Sequence, residues 1–362
     1  MSRRATFPPD DGNSHKEDSH YNNTSAGATQ DIELCNLIDP YYSNINKNDM
    51  IFDEEAVITK VRQNPNVARV ENTFAHQLRW QTCYPLHGAI TLGWSLDVVK
   101  CLFDVFPEAI QEKCFVYGKH QTPLHLACAS RKPSADVVSF LIETWPNIIN
   151  ELDSDGFLPL HTACFNRAPQ DIILILVEKG PAALRVKTRH GATPLHIACA
   201  ESIQLESVSL LLDKWPAAAR EKTLRGHTPL HHACQTTTLS TEKIKILLEQ
   251  YPKAVCDRDW EGRTPLECHF VTHESSQLLE DMYIVLRNEG DNEVAEYIMT
   301  KFRLMKWWGG VAVVLDFCPT VKLALDDCSR LVPNFLSFVG GRCKLRTMYK
   351  ILCSRQDILS ID

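Results

Sequence analysis

Four histidines are each followed by a cysteine three residues later: His125 and Cys128, His161 and Cys164, His196 and Cys199, His231 and Cys234. Residues three apart share a helical face. Imidazole and thiolate are zinc ligands, and a thiol beside an imidazole is a nucleophile with its base. Both chemistries need convergence at one place. A structural zinc takes four ligands around a point, and a catalytic pair is a single event at a cleft, with a third group orienting the base. Here one pair recurs at near-constant spacing and no distinct acid accompanies any copy. The recurrence predicts a packing role for both residues, with no metal site and no catalytic group. The sequence also lacks a Gly-x-x-x-x-Gly-Lys phosphate loop and a His-Glu-x-x-His helix. The expectation is a non-enzyme without cofactors.

The elements that carry these pairs follow from their surroundings. Thr228-Pro229-Leu230-His231-His232-Ala233-Cys234 recurs at Thr193 to Cys199 and at Thr122 to Cys128. Looser copies run from Leu158 to Cys164 and from Tyr84 to Ile90. A last one opens as Thr264-Pro265-Leu266 and then has Glu267 in place of histidine. The motif prolines stand at 85, 123, 159, 194, 229 and 265, with gaps of 35 to 38 residues. A fixed period of this kind predicts a stack of repeats. Within one copy, Thr193 is placed to cap a helix start, and Pro194 takes the first helical position, where a missing N–H costs nothing. Leu195 and Ala198 lie on one face. A second apolar run, Leu205, Val208, Leu211 and Leu212, has helical spacing. Trp215-Pro216 closes that helix, because a residue before proline leaves the α region. Ala217 to Leu224 is expected to be extended, with a turn at Gly226. Ser95, Ser134 and Ser240 precede the closing prolines by twelve residues and are placed to cap second helices.

This unit resembles the ankyrin repeat, whose motif is Gly-x-Thr-Pro-Leu-His-x-Ala; five to six copies cover residues 81 to 270. The resemblance implies an all-α helical solenoid of stacked helix-turn-helix repeats with extended fingers. It implies a structural motif carried here by Thr122, Pro123, His125, Pro159, His161, Thr193, Pro194, His196, Thr228, Pro229 and His231. It also implies non-catalytic protein–protein recognition, as a scaffold or adaptor, on the concave side formed by fingers and first helices. Two departures stand out. The period exceeds the usual ~33 residues, and second helices end in aromatic-Pro pairs such as Phe106-Pro107 and Tyr251-Pro252.

The rest of the chain is arranged around the repeats. Residues 1 to 48 are polar and are expected to be a disordered tail; Arg3-Arg4-Ala5-Thr6 resembles a basophilic kinase site. Residues 49 to 80 read as an N-terminal capping helix or partial repeat, centred on Asp53 to Gln63. Residues 81 to 290 are the repeat domain, and 291 to 362 a helical C-terminal cap or extension. An alternative function is a regulatory subunit whose segment 290 to 362 is the effector. The formal net charge of −7 gives no drive toward nucleic acid. The N-terminus shows no apolar h-region, and the charges between Val311 and Val339 argue against a membrane span. Fourteen cysteines without a Cys-x-x-Cys pair read as reduced thiols in the cytoplasm or nucleus.

With packing accounted for, surface remains. Arg185, Lys187, Arg189, Arg220, Lys222 and Arg225 fall in two successive fingers, and Trp260 in the next. The expectation is a cationic patch for an acidic protein segment, with Trp260 as an anchor. Lys179 and Lys243, on second helices, are expected to matter little.

Overall fold

The computed structural model describes residues 53–76, 79–116, 118–201, 203–236, 240–267, 273–287 and 292–318, together with Leu34, Leu37 and Ile38. The rest of the expected tail, Thr6 included, lies outside the described residues, as does 319–362 of the C-terminal extension. The chain forms two compact units, Met1–Arg189 and His190–Asp362.

The first unit opens with α1 (Glu54–Gln63). The Asp53 carboxylate accepts the Ala56 N–H at 2.9 Å. Acids follow in the first turn and Lys60 and Arg62 lie in the last, each complementing the helix dipole. A hairpin of β1 (Asn72–His76) and β2 (Arg79–Cys83) leads into three helix pairs. These are α2 (Pro85–Leu92) with α3 (Leu96–Val105), α4 (Pro123–Ala129) with α5 (Ala135–Thr144), and α6 (Pro159–Phe165) with α7 (Gln170–Lys179). Motif prolines occupy the first helical position throughout. Ser134 caps α5 as its spacing predicts, accepting the Val137 N–H. Ser95 stands at the N-cap of α3 but gives its hydroxyl to the Glu54 carboxylate at 2.8 Å, tying α3 to α1. Leu34, Leu37 and Ile38 are helical, inside the stretch expected to be disordered. Leu34 and Ile38 are fully buried, and the Trp94 indole N–H donates to the Ile38 carbonyl at 3.0 Å. An i, i+4 apolar pair suffices to dock one turn.

The second unit contains α8 (Pro194–Ala200) with α9 (Leu205–Lys214), and α10 (Pro229–Cys234) with α11 (Thr241–Gln250). Three further helices follow: α12 (His273–Arg287), α13 (Asn292–Leu304) and α14 (Trp308–Phe317). The Trp307-Trp308-Gly309-Gly310 run forms the start of α14. The Trp307 indole donates to the Glu249 carboxylate of α11 at 2.8 Å. A Cβ on Gly309 would lie 2.1 Å from that carboxylate, and one on Gly310 would strike the Trp307 ring. Only glycines let α14 start there, and its Val311 to Val314 are buried.

The aromatic-Pro pairs behave differently from expectation. Trp145 and Trp215 leave the α region, at φ/ψ of −136/83 and −146/80. The following proline then opens a short 3-10 helix, as at Pro146–Asn150 and Pro216–Arg220; Pro181–Arg185 forms the same turn after Gly180. Proline fixes φ near −65°, which a 3-10 turn shares with an extended chain. The turn wins because it buries Ile148 and Ile149, or Ala218 and Ala219. The extended finger begins only after it. Where the finger is longer, it pairs as a hairpin of β3 (Cys114–Val116) and β4 (Lys119–Gln121). Among the described residues no helix is long and apolar enough to cross a membrane.

Candidate functional site

Three motif histidines, His125, His196 and His231, hold the fold from both ring nitrogens. Nδ1 accepts the N-cap backbone N–H: from Thr122 to His125 at 3.4 Å, Leu158 to His161 at 3.1 Å, Thr193 to His196 at 3.1 Å and Thr228 to His231 at 3.1 Å. That bond fixes Nδ1 as an acceptor, so the Thr122, Thr193 and Thr228 hydroxyls, each 2.8 Å away, donate to it. The ring proton therefore sits on Nε2. It reaches the next finger: His125 to the Phe157 carbonyl at 2.9 Å, His196 to that of His227 at 3.1 Å, and His231 to that of Arg263 at 3.2 Å. His87 reaches Glu112 in the same way at 3.0 Å. His125, His196 and His231 each join their own helix start to the following repeat. Burial lowers His87, His125 and His231 to about 4.

Cys128, Cys164, Cys199 and Cys234 are at most 1% exposed. Burial pushes the Cys199 thiol up to about 12 and raises Cys128 as well. These two stay protonated at neutral pH, unlike a nucleophile or a metal ligand. Among the described residues, no group of three or more His, Cys, Asp or Glu side chains is arranged to hold a metal ion.

The finger tips are built by a second device. The Asp153 carboxylate accepts the Asp155 and Phe157 N–H groups at 2.9 and 2.8 Å. Asp259 does the same for Glu261 and Arg263, both at 2.9 Å. Its other oxygen takes the Arg263 Nε at 3.0 Å and faces His227 Nε2 at 3.3 Å. Burial alone would raise the Asp259 carboxyl, but the Arg263 and Glu261 donors hold it below its ordinary value. His227 is lowered, chiefly by burial, against the opposing pull of Asp259. Successive tips are laddered. In the first unit the Arg189 N–H donates to the Asp155 carbonyl at 3.4 Å. In the second, Leu224 donates to His190 and Trp260 to Arg225, both at 3.0 Å. Gly156, Gly191 and Gly226 take φ near +77°, where a side chain is strained. A Cβ on any of them would also meet the next tip, within 3.2 Å.

The sequence-chosen cations divide between the units. Arg185, Lys187 and Arg189 are exposed residues of the first. Arg185 ends a 3-10 helix rather than standing at a tip, and both it and Lys187 have interaction partners. In the second unit Arg220 also ends a 3-10 helix, its guanidinium 5.4 Å from the Tyr251 ring centre. Lys222 pairs with Asp257 at 2.8 Å. Arg225 and Trp260 are the tip residues, and both are exposed.

Sequence reasoning missed two features. Leu224, at the same tip register as Trp260, is 58% exposed; its apolar character in a polar turn was the available signal. Lys243, expected to be a neutral surface position, is buried. Its ammonium donates to the Glu201 carbonyl at 2.9 Å, at the C-cap of α8. An amphipathic helix pattern does not reveal that a lysine stem can lie along the core while its head reaches a neighbouring helix end.

A family model described as ankyrin repeats matches the chain in three copies, over residues 86–185, 149–218 and 195–279. No curated protein matches it.

Proposed function

The chain belongs to the ankyrin-repeat family, whose repeats are protein–protein interaction modules, and from that premise we propose that it is a non-catalytic scaffold or adaptor. It binds its partner on the side formed by fingers and first helices, in a cytoplasmic or nuclear setting that keeps its thiols reduced. The observation that carries this reading is Trp260, 79% exposed on a turn whose backbone Asp259 has already fixed. A large aromatic on a rigid mount contributes contact area with little ordering cost on binding.

The buried motif supports the same reading. The nitrogens of His125, His196 and His231 are all engaged within the repeats, which leaves them for stacking and leaves recognition to surface side chains. Capture with the full chain from cell extract, followed by calorimetry with each purified candidate, tests the reading. A saturable complex that weakens when finger or first-helix surface residues are changed is expected. Captured proteins that all fail to bind once purified would refute it.

A further inference from the structure

Leu224 and Trp260 occupy one register on successive tips of the second unit. In each, the backbone N–H donates to the preceding tip. Each side chain lies over that tip's glycine: Leu224 Cγ is 3.2 Å from where a Gly191 Cβ would be, and Trp260 Cδ1 is 3.0 Å from that of Gly226. The fold does not require an apolar residue at this register, because in the first unit Ser154 and Arg189 fill it. Yet Leu224 and Trp260 are both apolar and mostly exposed, at 58% and 79%.

Arg225 lies between them, its own carbonyl accepting the Trp260 N–H. The neighbouring cations are engaged. Lys222 is held by Asp257 and Arg263 by Asp259 and Glu261. Arg258 donates to the Gly262 carbonyl and lies 3.8 Å from Glu267. Among the described residues the Arg225 guanidinium has no carboxylate partner. One uncompensated guanidinium, on a residue whose backbone stands between those of two exposed apolar residues, is a binding pattern, because the guanidinium fork matches a carboxylate and apolar neighbours of the contact exclude water.

We infer that this tip row binds a linear peptide segment carrying Asp or Glu between two apolar side chains. The inference rests on the protein-recognition reading and names the chemistry of the partner. Stacked helices stand about 8–10 Å apart, and an extended chain rises about 3.3 Å per residue. Apolar residues three apart, with acid within the gap, span that distance. An anionic membrane is the competing ligand for Trp beside Arg, but surface binding of that kind needs several cations, and of the neighbouring tip cations Lys222, Arg258 and Arg263 are paired.

The test uses the full chain and short fluorescein-labelled peptides centred on Leu-Glu-Asp-Phe, Leu-Lys-Lys-Phe and Ser-Glu-Asp-Ser, read by anisotropy at physiological salt. The first should bind at least about tenfold tighter than the others, a difference of about 1.4 kcal/mol. Arg225→Glu should reverse the charge preference toward Leu-Lys-Lys-Phe. Trp260→Ala should weaken the first peptide about tenfold while preserving the circular dichroism spectrum, since the side chain is exposed and its backbone bond remains. Equal affinity for the three peptides, no binding at millimolar peptide, or no effect of Arg225→Glu would overturn the inference. So would binding to phosphatidylserine vesicles without peptide binding. A captured protein partner that binds both variants as tightly as the parent chain would sink this inference and leave the recognition reading standing.

Discussion

Lowering the pH from about 7.5 to 5 should strip stability from both units, because protonated motif histidines cannot keep their contacts. The Nδ1 of His125 and of His231 accepts a backbone N–H; a second ring proton would set donor against donor in a buried site. The folded values for His87, His125 and His231 are about 4, against about 6.5 in an unfolded chain. The unfolded state thus binds more protons throughout that window, and stability falls as pH falls through it, levelling off below about 4. At pH 5 the two binding curves differ by about 2 kcal/mol per histidine. His87 and His125 together therefore cost the first unit about 4 kcal/mol, a large share of the ~5–15 kcal/mol that holds a domain. His231 costs the second unit about 2 kcal/mol by the same linkage, and the lowered His227 and His232 act in the same direction. Urea unfolding followed by circular dichroism at both pH values gives the loss. Histidine Cε1–H resonances titrated from pH 8 to 4 give the site values. Stability that is flat or rises between pH 7.5 and 5, or midpoints above 6 for His125 and His231, would refute the acceptor assignment of Nδ1.

Other consequences follow from single contacts. Gly226→Ala should destabilise by more than the ~1–2 kcal/mol of a left-handed residue, because its Cβ also meets Trp260; Gly262→Ala should show only that strain, since nothing lies within 4 Å. Urea midpoints of the two variants decide it. Lys243→Glu should cost about 3–5 kcal/mol by placing an unpaired anion at a buried helix end, whereas Lys179→Glu, on an exposed position, should stay within about 0.5 kcal/mol. Cys199 and Cys234, both at most 1% exposed, should react with a thiol reagent slowly in native buffer and rapidly in urea; fast native labelling of either would contradict the packing role.

The repeat was legible because its constraints are local: a proline at a helix start, a histidine three residues past the cap, an apolar face. What was illegible depends on partners one period away. Lys113 pairs with Glu151, Lys119 with Asp155 and Lys222 with Asp257, and all three pairs join successive fingers. Reading charges singly suggested that Lys222 was available to a ligand; reading them at the repeat offset would have paired it and left Arg225. The 3-10 turns after the aromatic-Pro pairs were hidden for another reason. Proline fixes φ and leaves ψ to burial, which a linear pattern does not display.

The exception at Glu267 tests that view of the motif. A histidine at this register has two tasks, taking the cap N–H on Nδ1 and giving its Nε2–H to a carbonyl of the next finger. One period after Glu267 the chain lies within α13, whose carbonyls are largely engaged by the helix, so the second task has no recipient there. Glutamate performs the first task alone: its carboxylate accepts the Thr264 N–H at 2.6 Å and hydroxyl at 3.1 Å, the reciprocal half of a capping box. Those two donors hold the carboxyl below its ordinary value. Among the described residues, this start is the 3-10 turn Pro265–Glu267. Loss of the imidazole where α13 stands one period on is therefore what the two-ended role of the histidine requires, and it argues that His125, His196 and His231 are kept for the bond to the following repeat as well as for the cap.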